Sequence, residues 1–229
     1  NSDHVNHALN ERIGLFRGNL WQLTVDAMGL DAPGDYAPAA GSLFAETVRV
    51  AGSRFQRSLK KLDECRIGDV NVLPCCHGLN LPARYIIITG GAYFVREHES
   101  ASYSGLHLSY TKLLEAAVDY ECRTIALDCM FSEDKHFPKE RAAQVALRTV
   151  RHFLECYGSM VERVILVSRT AEDYDALQEA ATYYFPRTEE EAGRSHAWAD
   201  RHLDMRGDFT IRERAFRIGA SPLDIPSLK

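Results

Sequence analysis

The 229-residue sequence lacks several features that would each point to a particular class of protein. No apolar run approaches the ~18 residues of a membrane-spanning helix, and no signal-peptide pattern opens the chain. The formal charge of −5 provides no positive excess, whereas nucleic-acid-binding proteins carry basic patches. We therefore expect neither a membrane span nor a nucleic-acid partner.

The six cysteines form no Cys-x-x-Cys pair, and several of them lie in apolar runs. This usage is typical of reduced thiols, and it predicts an intracellular location, cytoplasmic or nuclear. Cys75-Cys76-His77 contains metal-ligand residue types, but sequence neighbours rarely all face one ion, and no second cluster has zinc spacing. The sequence therefore predicts no metal and no cofactor.

The chain does contain a segment that reads as a fully buried strand, Arg84 to Thr89. Ile86, Ile87 and Ile88 are consecutive and cannot alternate between core and water, which is typical of a parallel sheet covered on both faces. Gly90-Gly91 ends this strand, where the backbone must turn sharply or allow a close approach. We expect it to be an interior strand, flanked by the strands around Ile125 and Val70.

Other strands and helices alternate along the chain, which predicts right-handed crossovers and a mostly parallel sheet between helical layers. Residues 29–41 are rich in glycine and proline and are predicted to be irregular. Ser42 is predicted to cap a helix that Gly52 kinks or divides. The remaining predicted strands are Ile13 to Phe16, Leu20 to Met28, Arg123 to Leu127 and Val161 to Val167, and the remaining helices are Ser100 to Tyr120, the segment after Pro138, and Ala171 to Tyr184.

Three consecutive motifs resemble the macro domain family. They are Cys65-Arg66-Ile67-Gly68-Asp69, a Gly-x-Asn-Leu-x-Ala-Arg turn over residues 78–84, and the strand Tyr85 to Thr89. Leu147 to Glu155 and Tyr183 to Arg187 extend the resemblance, which runs from about Asn10 to about Pro222. It implies a three-layer α/β/α fold with a mixed, mostly parallel sheet. We expect a flexible arm over 1–9, the macro domain over 10–186, and a C-terminal extension over 187–229, partly ordered or packed on the domain.

The resemblance also implies a ligand cleft at the carboxyl ends of the strands, where open α/β sheets bind ligands. In macro domains, an Asp after the first strand usually accepts a hydrogen bond from the adenine amino group. Here Gly18-Asn19 stands at that place, with Leu20 after it as a further candidate cleft residue, and the Asn19 amide oxygen accepts without the strengthening charge. The alternative is that Asn19 only caps a turn.

The second cleft loop of macro domains usually carries an Asn that positions the distal ribose, followed by a run of glycines. In this chain the Asn positions fall on or near Leu30 and Pro33, and no Gly-Gly-Gly run follows. Neither side chain can hydrogen-bond a ribose or orient an attacking water. The resemblance thus implies that the usual ADP-ribosyl hydrolysis is lost.

The third loop of macro domains cradles a diphosphate with backbone N–H groups and glycines. Here it is replaced by Ser132-Glu133-Asp134-Lys135-His136, which has no glycine and brings in two carboxylates. Lys135 and His136 could offset one of them, and a solvated loop before a helix begun by Pro138 is the alternative interpretation. Arg169 stands where an adenine-stacking aromatic is often found, and it can stack on a base or lie at the surface.

These observations predict a non-catalytic binding module with weak or altered binding of ADP-ribose or a related nucleotide, and a role in protein interaction or targeting through a partner that the sequence does not identify. The competing hypothesis is a hydrolase of ADP-ribosyl groups or O-acetyl-ADP-ribose that uses Ser132, His136 or Cys129. An open groove beside Gly90-Gly91 would leave ligand binding possible, and a filled one would exclude it.

Overall fold

The computed structural model describes residues 5–75 and 79–202. Six strands form one sheet, and all neighbouring pairs are parallel except β3 and β4. The strands are β1 (Ile13–Arg17), β2 (Val25–Ala32), β3 (Val70–Pro74), β4 (Ala83–Gly90), β5 (Thr124–Asp128) and β6 (Arg163–Ser168), in the spatial order β1-β6-β5-β2-β4-β3.

Helices cover both faces of this sheet. The helices are α1 (His7–Asn10), α2 (Leu43–Ala51), α3 (Ser53–Leu59), α4 (Glu99–Asp119), α5 (Lys139–Tyr157), α6 (Ala171–Tyr184) and α7 (Glu189–His202). Apolar side chains of α2 and α3 pack on one face, and those of α4, α5 and α6 pack on the other. The predicted three-layer α/β/α fold is confirmed.

The three isoleucines of β4 are buried and contribute to both cores. Ile86 and Ile88 pack in the core under α2 and α3, whereas Ile87 packs in the core under α4 to α6. The alternation of successive side chains along a strand sends them to opposite faces. The interior position of the strand is therefore confirmed.

One predicted neighbour of this strand is wrong. β4 pairs with β3, which contains Val70, but its other partner is β2 rather than the strand around Ile125. β2 lies between β4 and β5 and pairs with both. It also continues to Ala32, through residues 29–32 that were predicted to be irregular. Along β2, Met28 pairs with Ile86 and Leu30 with Ile88.

The glycine and capping signals around Ser42 and Gly52 are confirmed. The Ser42 Oγ accepts a hydrogen bond from the Ala45 N–H at 3.1 Å, as an N-cap does. Gly52 has φ +89° and separates α2 from α3. Such a φ is readily adopted by glycine and rarely by other residues.

Two short segments differ from the sequence-based expectation. Residues 7–9, the end of the arm predicted over 1–9, lie in the short helix α1, with Asn6 accepting from the Leu9 N–H. Leu20–Gln22 was predicted as strand and is a 3₁₀ turn between β1 and β2.

The C-terminal extension begins with a helix that packs on α6. The Trp198 ring of α7 lies 5.1 Å from the ring of Tyr183 and 5.8 Å from that of Tyr184, centroid to centroid. The part of the predicted extension beyond residue 202 lies outside the described residues. Among the described residues, no helix is long and apolar enough to cross a membrane.

Candidate functional site

An open pocket of about 640 Å³ lies at the carboxyl ends of β5 and β6. This is the edge at which open α/β sheets bind ligands, and the volume is that of a small-molecule site. The pocket is lined by Ala39, Ala40, Gly41, Ser42, Leu43, Asp128, Cys129, Ser132, Asp134, Arg169, Thr170 and Asp173.

The wall formed by α2 is connected to the end of β6 by an ion pair. Arg169 follows β6, and its Nη2 lies 3.2 Å from the Glu46 Oε1 of α2, with both side chains about one-third exposed. The Arg169 guanidinium is thus engaged by a carboxylate of the protein itself. Arg169 lines the pocket, in agreement with its assignment to the cleft. Its stacking on a base stays a prediction.

The wall formed by α6 is fixed by a capping arrangement at its first turn. Thr170 Oγ1 accepts from the Asp173 N–H at 3.1 Å and donates to Asp173 Oδ2 at 2.7 Å. Asp173 is buried, and its Oδ1 lies 3.1 Å from the Lys139 Nζ of α5. Lys139 also pairs with Glu172 at 2.8 Å. The carboxylate of Asp173 is therefore satisfied within the protein.

The carboxyl group of Asp128 lies where β5 ends, and it has no comparable partner. Its residue is 5% exposed, and no side chain of the described residues hydrogen-bonds or pairs with the carboxyl. Burial raises the pKa of Asp128 well above its ordinary value, and Asp31 and Asp134 raise it further. The backbone N–H of Cys129, which already donates to Val167, and the more distant Arg169 oppose this shift in pKa.

The loop after β5 places its polar residues on different sides. Ser132 Oγ donates to Asp134 Oδ1 at 3.0 Å, and both residues line the pocket. His136 is exposed and has φ +61°. Glu133 lies in the 3₁₀ turn Glu133–Lys135, but its side chain is outside the described part of the structure.

Lys135 points away from the pocket into the protein. Its Nζ lies 2.6 Å from the Asp31 Oδ2 of β2 and 4.1 Å from the centre of the Tyr93 ring. Lys135 is 4% exposed and Asp31 8%. Lys135 therefore does not line the pocket, and its charge is directed chiefly to Asp31, with a weaker interaction with Asp134.

The groove expected beside Gly90-Gly91 is filled by this ion pair. A Cβ at Gly91 would lie 2.1 Å from Asp31 Oδ2 and 2.7 Å from Lys135 Nζ, and one at Gly90 would lie 2.4 Å from the Arg66 carbonyl oxygen. The two glycines permit close internal packing. Neither of them lines the open pocket in the described structure.

Two further predicted contacts need correction. Leu20 is 1% exposed and Leu30 is 0% exposed, and both pack in the core under α2 and α3. Side chains without accessible surface cannot contact a ligand in the pocket. Asn19 begins the 3₁₀ turn after β1, where its N–H donates to Gln22 Oε1 at 2.7 Å.

Cys129 and His136, considered above as nucleophile and base, are not hydrogen-bonded to each other in the described structure. Cys129 is buried, and burial raises its thiol pKa well above the ordinary value. The exposed His136 ring makes no hydrogen bond to Cys129 among the described residues. A protonated, buried thiol is a poor nucleophile because the thiolate is the reactive form.

The metal-ligand types noted in the sequence do not assemble in the described structure. Cys75 is buried, while Cys76 and His77 lie outside the described residues. Across residues 5–75 and 79–202, no group of three or more His, Cys, Asp or Glu side chains could hold a metal ion.

Sequence reasoning missed four polar residues at or near the pocket, namely Asp31, Asp128, Thr170 and Asp173. Asp31 was missed because residues 29–41 were read as irregular, although Asp31 lies on β2. Asp128 directly follows the apolar run of β5, and this position at the end of a buried strand could have identified it as a candidate site residue. Thr170 and Asp173 match a capping box, which was also readable from the sequence.

Replacing Asp128 with Asn should change the pH dependence of stability. Because the pKa of Asp128 is raised on folding, the native state keeps a proton that the unfolded chain loses above about pH 4. This group therefore destabilises the fold increasingly as pH rises from about 4 to the raised pKa. Urea unfolding between pH 4 and 8 should show Asp128→Asn gaining stability relative to the unmodified protein as pH rises.

The matched control for this experiment is Asp175→Asn, since Asp175 is an exposed carboxylate on α6. Its unfolding free energy should follow that of the unmodified protein at every pH. A constant difference between Asp128→Asn and the unmodified protein would contradict the assignment of a raised pKa.

The comparisons with known proteins agree with this architecture. The family model described as "Macro domain" matches residues 41–146. The chain is 29% identical over 221 residues to human ganglioside-induced differentiation-associated protein 2, covering 95% of this chain and 43% of that protein. It is 31% identical over 227 residues to the Protein GDAP2 homolog of Nematostella vectensis, covering 98% of this chain and 44% of that protein. The chain thus spans less than half the length of these relatives.

Solved structures of macro domains are similar to the chain. The crystal structure of the ganglioside-induced differentiation-associated protein 2 macro domain matches with a TM-score of 0.74 and 28% identity, covering 81% of this chain and 90% of that chain. The Trypanosoma brucei macrodomain in complex with ADP-ribose matches with a TM-score of 0.69 and 24% identity, covering 77% and 72% of the two chains. The latter likeness shows the fold alone.

Proposed function

Since this chain contains a macro domain, we propose that it is a non-catalytic binding module in which affinity for ADP-ribose has become weak. Its function is recognition, through an altered ligand preference or a protein partner. The observation that carries this proposal is the charge of the pocket. Asp134 and Asp173 are acidic residues of its lining, Asp128 adds a buried carboxyl group whose raised pKa favours the neutral form, and the cation Arg169 pairs with Glu46.

An acidic pocket disfavours a diphosphate by an amount that matters. Two unit charges 4 Å apart interact by about 4 kcal/mol at an effective dielectric of 20. Micromolar and millimolar affinities also differ by about 4 kcal/mol. A single carboxylate such as Asp134 facing the diphosphate would therefore be sufficient to weaken ADP-ribose binding from micromolar to millimolar affinity.

The backbone offers no compensating cradle for phosphate. The loop from Ser132 to His136 contains no glycine, and Lys135 is turned towards Asp31. Helix N-termini attract anions, but the first turn of α2 already has Ser42 and Glu46. That of α6 has Thr170, Glu172 and Asp173. These side chains supply the negative partners that a phosphate would otherwise provide.

The absence of catalysis is supported by the residues around the pocket. Leu30 lies in the core and Pro33 lacks a polar side-chain group, so neither can orient an attacking water. Cys129 is buried with a raised pKa. A hydrolase built on Ser132, His136 or Cys129 remains the second candidate, and no contact in the described structure favours it.

The non-catalytic part of the proposal is tested by an ADP-ribose release assay. Incubation with mono-ADP-ribosylated protein should release no ADP-ribose above a buffer control, because Leu30 and Pro33 cannot orient an attacking water and the Cys129 thiol is buried. The matched controls are Ser132→Ala and His136→Ala. Release above the buffer control that disappears in either variant would establish the hydrolase instead.

A further inference from the structure

We propose that the pocket binds a guanidinium group, carried either by a small molecule or by an arginine side chain of a protein partner. This inference rests on the proposed function, because it names the ligand chemistry that replaces ADP-ribose in the same pocket. It starts from Asp128, a buried carboxyl group that lines the pocket and has no side-chain partner among the described residues.

Some of the other carboxylates at the pocket are already paired with a cation of the protein, and others can still accept a hydrogen bond from a ligand. Asp173 is occupied, since it pairs with Lys139 and caps α6. Glu46 is occupied by Arg169. Asp134 is exposed, and its Oδ1 accepts one hydrogen bond, from Ser132. Asp128 and Asp134 therefore remain as the two acceptors for a positively charged ligand.

The groups that face Asp128 leave it short of positive charge. Asp31 and Asp134 act to raise the pKa of Asp128, and Arg169, which acts to lower it, is paired with Glu46. Lys135 is close to this region, but its ammonium is directed to Asp31 and Tyr93. A cation entering the pocket would favour the ionised form of Asp128 and pair with it.

A guanidinium fits this pocket better than a metal ion. The volume of about 640 Å³ is suited to an organic group rather than to a single ion. No described cluster of His, Cys, Asp or Glu could hold a metal. A guanidinium is weakly hydrated and offers five donors in a planar fork, which suits carboxylates on separate segments and the hydroxyl of Ser132.

The two helix N-termini at the pocket do not oppose this ligand. Each favours an anion at its first turn, but Ser42 with Glu46 and Thr170 with Asp173 already satisfy the two ends. Their remaining effect is to hold the pocket walls in place around Asp128 and Asp134.

The experiment is a titration of the folded protein with Nα-acetyl-arginine-N-methylamide, followed by amide NMR shifts and calorimetry at near-physiological salt. A ligand of this size should give a Kd of about a millimolar, with shifts around residues 128–134. The citrulline derivative, which has the same shape without the charge, should bind at least about tenfold more weakly. Equal binding of the two, or no saturable binding of the arginine derivative, would overturn the inference.

Variants assign the interaction to the named carboxyl groups. Asp128→Asn should weaken arginine binding by about tenfold or more, and Asp134→Asn by less, because the exposed carboxylate is better screened. Asp175→Asn should leave the affinity unchanged. Circular dichroism and thermal unfolding establish that each variant is folded. An unchanged affinity in folded Asp128→Asn would overturn the assignment.

Two further titrations are needed. The first distinguishes a small-molecule guanidinium from an arginine of a protein partner, and the second tests the proposed function independently of this inference. A Gly-Ser peptide with one central Arg should bind more tightly than the free derivative if a protein supplies the group, and no more tightly if a small molecule does. ADP-ribose is titrated in parallel. Tight ADP-ribose binding would contradict the proposed function, whereas failure of the arginine arm alone would contradict only this inference.

Discussion

Replacing Lys135 with Met should lower the free energy of unfolding by about 3–5 kcal/mol at neutral pH. Lys135 and Asp31 are 4% and 8% exposed, and their charged atoms are 2.6 Å apart. Removing the ammonium leaves the Asp31 carboxylate buried without its counter-charge, and it also removes the contact with the Tyr93 ring. Urea unfolding followed by circular dichroism measures the change.

The matched control is Lys112→Met on α4. Lys112 pairs with Glu115 at a similar distance of 2.7 Å, but the two side chains are 43% and 37% exposed. An exposed pair contributes about 0–1 kcal/mol, so this variant should be nearly neutral. The double variant Asp31→Leu with Lys135→Met should recover much of the stability, because it leaves no unpaired charge. Equal effects of Lys112→Met and Lys135→Met would show that the burial of the pair is unimportant.

Truncating Ile87 to Ala should destabilise the protein by about 2–5 kcal/mol. Ile87 is 1% exposed and packs on the face of β4 that α4 to α6 cover. Removing its methyl groups leaves a cavity between a central strand and a helical layer, where neighbouring atoms relax only partly. Thermal or urea unfolding gives the difference directly.

Ile67→Ala is the control for this prediction, because Ile67 is 50% exposed. Its truncation removes the same atoms but leaves no enclosed cavity, so the expected loss is below about 1 kcal/mol. If Ile87→Ala were as mild as Ile67→Ala, the packing of β4 between two helical layers would be incorrect.

Local patterns predicted the fold well because they report directly on burial. Three consecutive isoleucines are compatible only with a strand covered on both faces, and the structure has them in that position. Ser42 and Gly52 act at their own positions in the chain, and both were correctly identified. The error at β2 arose because glycine and proline counts over residues 29–41 obscured four strand residues.

The site was harder to predict because its character depends on side-chain direction. Position in the sequence put Lys135 beside the ligand, yet its ammonium reaches inward to Asp31. No periodic pattern indicates which way a loop side chain turns when two partners compete for it. Leu20 and Leu30 were assigned to the cleft by resemblance to macro domains, whereas both belong to the core.

The acidic pocket is therefore the feature on which the proposed function depends. Asp134 lies in the loop where the macro-domain resemblance puts a diphosphate, Asp128 lines the same pocket, and the Lys135 ammonium expected there contacts Asp31 instead. Any ligand that this pocket accepts must tolerate or exploit that charge.

The most direct test is a calorimetric titration of the unmodified protein with ADP-ribose at near-physiological salt. The acidic pocket and the missing glycine cradle predict no saturable binding tighter than about a millimolar. The paired variant Glu133→Gly with Asp134→Val should raise the affinity if charge is the obstacle. Saturable binding of ADP-ribose by the unmodified protein at a few tens of micromolar, about 6 kcal/mol, would contradict the proposal, since a diphosphate would then be held beside Asp128 and Asp134.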